Sequence, residues 1–173
     1  MSEYSLGFSG KLLDAARAVI GNGLDSVDAA RTVLYLSSLA SEIALKALLE
    51  RAGKPVQEIK KRQHDLCALL KDIGKCEVLV EIGARSRWVS ASRVRAVTVD
   101  ERYADATVGK ILTGEERGTS RYPNELRYGN RFRDYPPELR LGAAIALVKW
   151  AHENSSKIRF VSRMQVTRPK GVI

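Results

Sequence analysis

Between Arg121 and Tyr135 the chain reads RYPNELRYGNRFRDY, where Arg121, Arg127, Arg131 and Arg133 alternate with Tyr122, Tyr128, Phe132 and Tyr135. Guanidinium groups hold phosphates through charge and paired N–H donors, and aromatic rings stack on bases. Interleaving the two is the chemistry of a single-stranded nucleic-acid or nucleotide site. The candidate binding set is therefore Arg121, Tyr122, Arg127, Tyr128, Asn130, Arg131 and Arg133. A second group, Arg85, Arg87, Arg93 and Arg95 around Trp88, repeats the theme upstream. The competing reading is a solvated basic face, with arginines paired to Glu115, Glu116, Glu125 and Asp134.

Three further features invite a chemical reading. Glu42 and Lys46 stand four apart on an otherwise apolar helix, in the order that favours an ion pair. Their surroundings predict a satisfied polar pair in the core or at a dimer interface. His64 and Asp65 follow a loop and suit the N-terminal cap of the next helix, where a short acceptor binds free backbone amides. His152 falls on the helix face of Leu141, Ile145 and Val148, which predicts packing in the core or an interface. No Walker loop, GxSxG elbow, HExxH helix or catalytic carboxylate pair is present. Two cysteines nine apart and two histidines fit neither a disulfide framework nor a zinc site, so reduced thiols, no metal and no cofactor are expected.

The composition sets limits on what these residues can serve. Hydrophobic residues make up 45% and charged residues 28% of 173, the balance of one folded domain rather than a disordered tail. A net charge of +9 and a pI near 9.8 favour polyanionic partners. The opening MSEYSLGFSGK lacks a charged lead and apolar run, and no stretch reads as a membrane span, so a cytoplasmic location is expected.

Helical spacing of Leu12, Leu13, Ala16, Val19 and Ile20 predicts a first helix ended by GNG at 21–23. Asp25 or Ser26 caps a long second helix running toward Arg51, stopped by Gly53 and Pro55. Leu36, Leu39, Ala40, Ile43 and Ala47 form its stripe, yet Leu45, Leu48 and Leu49 lie outside it. Such a helix is the centre of a bundle or is covered by a second copy of itself. A third helix carries Leu66, Leu69, Leu70 and Ile73 to Gly74. From Lys75 to Val99 β-branched residues mix with arginines, and helix and strand stay open. Asp100 to Leu112 suits another helix, and Gly114 to Tyr135 a long functional loop. Pro136 and Pro137 open a last core helix, and the basic tail 157–173 alternates like a strand or forms an arm.

The run YLSSLASEIALKALLERAG, a short linker and HDLCALL resemble the HEPN superfamily, and LRYG at 126–129 with the Pro-started helix to Trp150 is similar to its second half. The resemblance covers 25–70 well and 126–154 loosely; 75–122 matches nothing in it. It implies a mainly α fold, an antiparallel up-and-down bundle of four to five helices in a single domain, with 75–122 as an insertion. It also implies a homodimer, an RNA or nucleotide ligand, a defence or toxin–antitoxin setting and, for some members, a nucleotidyltransferase partner. Catalytic members are metal-independent endoribonucleases with an Arg followed four to six residues later by His. Here no histidine lies between His64 and His152, and RYGNRFRD offers Arg127 with Asp134, seven residues on, instead. An ordinary Asp, with a pKa of about 3.9, cannot serve as the acid near neutrality.

Binding of RNA or nucleotide with a degenerate ribonuclease motif is thus the leading expectation. The alternatives are an active endoribonuclease using Arg127 and Asp134, and a helical protein-interaction module with no nucleic-acid role.

Overall fold

The computed structural model describes residues 2–100, 105–129 and 133–161. Its helices begin where short acceptors precede apolar periodic runs. The Ser5 hydroxyl accepts from the Phe8 amide to open α1 (Leu6–Gly21), and Ser26 accepts from Ala29 at 3.0 Å to open α2 (Val27–Arg51). Pro55 precedes the short α3 (Val56–Lys60), and Asp65 caps α4 (Leu66–Ile73) by accepting from Ala68 at 2.8 Å. Capping of this kind is worth about 1 kcal/mol per helix.

The stretch after Gly74 is a β-hairpin. Strand β1 (Cys76–Ile82) pairs antiparallel with β2 (Arg85–Ser90), and the short β3 (Ile158–Phe160) joins the other edge of β1, giving the order β2-β1-β3. Cys76, Val78 and Ile158 are buried on the inner face, while Trp88 is exposed on the outer one, with the Arg159 guanidinium 3.9 Å from its ring centroid. A 3₁₀ turn at Ala91–Ala96 leads back toward the helices. The helix expected over 100–112 is reduced to α5 (Val108–Leu112), with 101–104 outside the described residues. The expected long loop contains a 3₁₀ turn at Gly114–Arg117 and α6 (Asn124–Tyr128). The last helix, α7, spans Pro137–Asn154, with proline at its start where a missing amide costs nothing.

The fold is mainly helical with this small sheet at one side. Its centre is α2, which packs against α1, α7, α4 and α6. Leu34, Leu45, Leu48 and Leu49 are fully buried, whereas Leu36, Leu39 and Ile43 of the expected stripe are only half-buried. Ala40 and Ala47 of that stripe are fully buried as well, as expected of a central helix covered from several sides, which has no single apolar face. By length and apolarity α2 also passes as a membrane span, but 72% of that window is buried inside the protein. His152 is exposed rather than packed, since α7 turns that position away from Leu147 and Ala151 at the core.

Candidate functional site

At position 42 the helix α2 places a carboxylate at 4% exposure, in a region otherwise filled by leucine and alanine. A buried charge is tolerated only when donors surround it. Lys46, one turn on, donates from Nζ to Glu42 Oε1 at 2.6 Å, the pairing that the i, i+4 spacing predicts. On the other oxygen, Oε2 accepts from the Tyr122 hydroxyl at 2.8 Å and from His64 Nδ1 at 2.9 Å. Tyr4 lies with its ring centroid 5.6 Å from the Lys46 ammonium, which adds a cation–π contact over that charge.

Local backbone geometry brings these donors in. Gln63 has φ 46°, the left-handed region that L-residues seldom adopt, and it reverses the chain between α3 and α4. His64 follows that reversal and is directed back to Glu42, while Asp65 caps the helix. The two residues of the expected cap therefore do different work. Tyr122 is held by its own amide, which donates to Glu115 Oε1 at 2.7 Å, and next to it the Arg121 amide donates to Glu125 Oε2 at 2.8 Å. Burial, and then the negative charge of Glu42 and the bond to it, push the Tyr122 phenol above its ordinary value. Burial likewise raises the Glu115 carboxyl, against the pull of the Tyr122 amide.

Tyr122 joins this buried cluster to the surface. Its ring lies edge-on to His64, with centroids 5.9 Å apart, and tilted against Tyr35 at 5.8 Å. The guanidinium of Arg127 lies over the Tyr35 ring at 4.5 Å and donates to the Tyr35 hydroxyl. Here α2 and α6 enclose an open groove of about 310 Å³, lined by Arg31, Tyr35, Leu36, Arg127 and Tyr128 with Asp28 at one side. Leu126 anchors α6 in the core and so turns Arg127 and Tyr128 outward; Tyr128 is 77% exposed. Arg31 Nη2 donates to the Gly129 carbonyl, which ties the end of α6 to α2.

The sequence-predicted residues are thus divided. Arg127 and Tyr128 meet in the groove, and Arg121 and Arg133 are exposed. Tyr122 was expected to stack on bases but is buried at 8% exposure with its hydroxyl on Glu42. Asn130 and Arg131 lie outside the described residues. Arg133 and Ser120 exchange hydrogen bonds, Arg133 N to Ser120 Oγ at 2.8 Å and Ser120 N to Arg133 O at 2.7 Å, which close the base of the loop. Asp134 is not opposed to Arg127: both its oxygens accept from Arg140 Nη2, at 2.8 and 3.0 Å, in a pair buried from solvent. Sequence reasoning missed Tyr35 and Arg31, whose signal is their spacing on the first turns of α2, and the partnership of His64 with Glu42.

Burial pushes the Cys67 thiol up to about 11 and the Cys76 thiol up to about 12, so neither is a thiolate near neutrality. Among the described residues no group of His, Cys, Asp and Glu is arranged to hold a metal ion. Comparison with family models, with curated proteins and with solved structures found no match.

Proposed function

We propose that the chain is a HEPN-like RNA- or nucleotide-binding protein whose ligand lies in the groove between α2 and α6. The observation that carries this reading is the conjunction of Arg31, Arg127, Tyr35 and Tyr128 along one open surface. A base stacked on an exposed tyrosine contributes roughly 1–3 kcal/mol, and a guanidinium held over the Tyr35 ring and by its hydroxyl is preorganised to meet a phosphate with its remaining N–H groups. The homodimer, the nucleotidyltransferase partner and the defence or toxin–antitoxin setting rest on the sequence resemblance alone.

A second reading, metal-independent RNA cleavage, is favoured by one contact. A carboxylate accepting from His64 Nδ1 fixes the tautomer, so Nε2 of a side chain 53% exposed is left to take a proton. That arrangement replaces Asp134, which Arg140 engages, as the proton-moving group.

End-labelled RNA incubated with the protein in EDTA, beside Arg127→Ala and His64→Ala, tests both readings on native and denaturing gels. A shifted, intact band that Arg127→Ala weakens uniformly across sequences, with the salt slope reduced by about 1, supports binding. New fragments lost in His64→Ala support cleavage. RNA affinity no greater than that of an unrelated protein of equal charge sinks both and favours a protein-interaction module.

A further inference from the structure

Strand β1 of the hairpin that the family resemblance does not account for forms one wall of a half-open cavity, away from α6. It measures about 380 Å³ and lies between the inner sheet face, the 3₁₀ turn at Ala91–Ala96 and the C-terminal half of α7. Val78, Val80, Val97 and the Trp150 ring make its walls apolar, and Arg93 and Asn154 are the polar residues at its lining. That size is at the lower end of small-molecule pockets, roughly 300–1,000 Å³, and an apolar wall with a few convergent polar groups is their usual composition.

Charge decides what fits. The Arg93 guanidinium forms no hydrogen bond or ion pair among the described residues, although Glu77 of the same hairpin is near enough to the opposite face to take Arg159. Arg87 pairs with Val80 across the hairpin and so shares the cavity's face, and it too has no such partner among the described residues. The Asn154 amide nitrogen is committed to the Trp150 carbonyl at 2.8 Å. An apolar cavity with unneutralised guanidinium at its mouth suits a ligand with a planar apolar body and one carboxylate, since Arg matches the two carboxylate oxygens with paired N–H donors.

We infer that the cavity under the β1–β2 hairpin is a second ligand site, for a small aromatic or arylalkyl carboxylic acid, with Arg93 binding the carboxylate and Trp150 packing on the ring. The site is independent of the α2–α6 groove, so failure of either leaves the other standing.

The chain has two tryptophans, so Trp88→Phe leaves Trp150 as the sole indole. In that background, Trp150 emission is titrated with 3-phenylpropionate and with its neutral amide. The expected result is a saturable change with the carboxylate at about 0.1–5 mM, as its few heavy atoms allow. The amide binds at least about tenfold more weakly, and Arg93→Gln removes the discrimination. Arg93 is exposed, so this variant should fold normally; Arg93→Lys, which keeps the charge but loses the fork, should fall between. Equal binding of acid and amide, or an unchanged discrimination in Arg93→Gln, overturns the carboxylate site. Absence of any saturable change overturns the cavity as a ligand site.

Discussion

Of the buried carboxylates, Asp72 and Glu42 each gather donors from several segments of the chain, and they are surrounded differently. Asp72, 1% exposed at its side chain, accepts from Lys54 at 2.8 Å, Arg62 at 2.8 and 3.2 Å and Lys75 at 2.8 Å. Glu42 accepts from one lysine, one imidazole and one phenol. The donors to Asp72 are all cationic side chains. Burial by itself would raise the Asp72 carboxyl, but the bonds from Arg62, Lys54 and Lys75 outweigh it and hold the group well below the usual carboxylate range. The donors to Glu42 include a neutral phenol and an imidazole, and they lead outward to a groove. Asp72 therefore ties the segments before and after α3, and the one leading into β1, to α4, whereas Glu42 orients His64 and Tyr122 beneath the α2–α6 groove.

The largest test of that difference is Asp72→Asn. It leaves Lys54, 4% exposed at its side chain, beside two other cations with only the half-exposed Glu58, 4.0 Å away, as counter-charge, and breaking a buried pair in this way costs about 3–5 kcal/mol. The pH dependence has a definite sign. Because the folded-state pKa is depressed, the Asp72 contribution is complete above the unfolded value of about 3.9 and is lost as pH falls through the folded value. Urea midpoints of the native chain should fall across that acid window, while those of Asp72→Asn start lower and change less. A native acid limb retained in full by the variant would remove Asp72 from its structural role.

Next in size is Glu42→Gln. Lys46 loses its charge partner at 2.6 Å, but the Tyr4 ring remains beside it and the Gln carbonyl can still accept from Tyr122 or His64. The expected loss is about 2–3 kcal/mol, smaller than for Asp72→Asn. Equal losses in the two variants would mean that the comparison has no energetic content.

This contrast also shows what the sequence could express. A cap at Asp25 or Ser26, which the structure assigns to Ser26, the cap at Asp65, the end of α2 near Arg51 and the Pro-started α7 were legible because each depends on residues within one helical turn. The Glu42–Lys46 pair was legible for the same reason. The hairpin was not: β2 reads RSRWVS, and most of it is exposed on both faces, so no alternation of apolar with polar residues marks it as a strand. The partnership of Glu42 with His64 and Tyr122 spans 22 and 80 positions and depends on a left-handed Gln63 that no residue type announces. Arg127 and Tyr128, expected from composition to bind a ligand, line the groove, whereas Tyr122 in the same run faces inward, because an interleaved Arg–aromatic segment does not say which ring turns toward the core.

The smallest effect comes from Tyr122→Phe, and it sharpens the comparison most. The substitution keeps the ring that packs on Tyr35 and His64 and removes only the hydroxyl that donates to Glu42 Oε2. Stability should fall by about 1 kcal/mol, the net worth of a single hydrogen bond, with His64 left as the remaining donor on that oxygen. Asp72 has no partner that can be deleted so mildly, since its donors are all charged. RNA affinity should stay within about twofold of the native chain, because the hydroxyl does not line the groove and the Arg127–Tyr35 stack is untouched. Thermal melts and anisotropy with labelled single-stranded RNA read the two quantities separately. A large loss of affinity at nearly native stability would instead place the Tyr122 hydroxyl in direct control of the groove, and Glu42 would then be coupled to the ligand rather than merely beneath it.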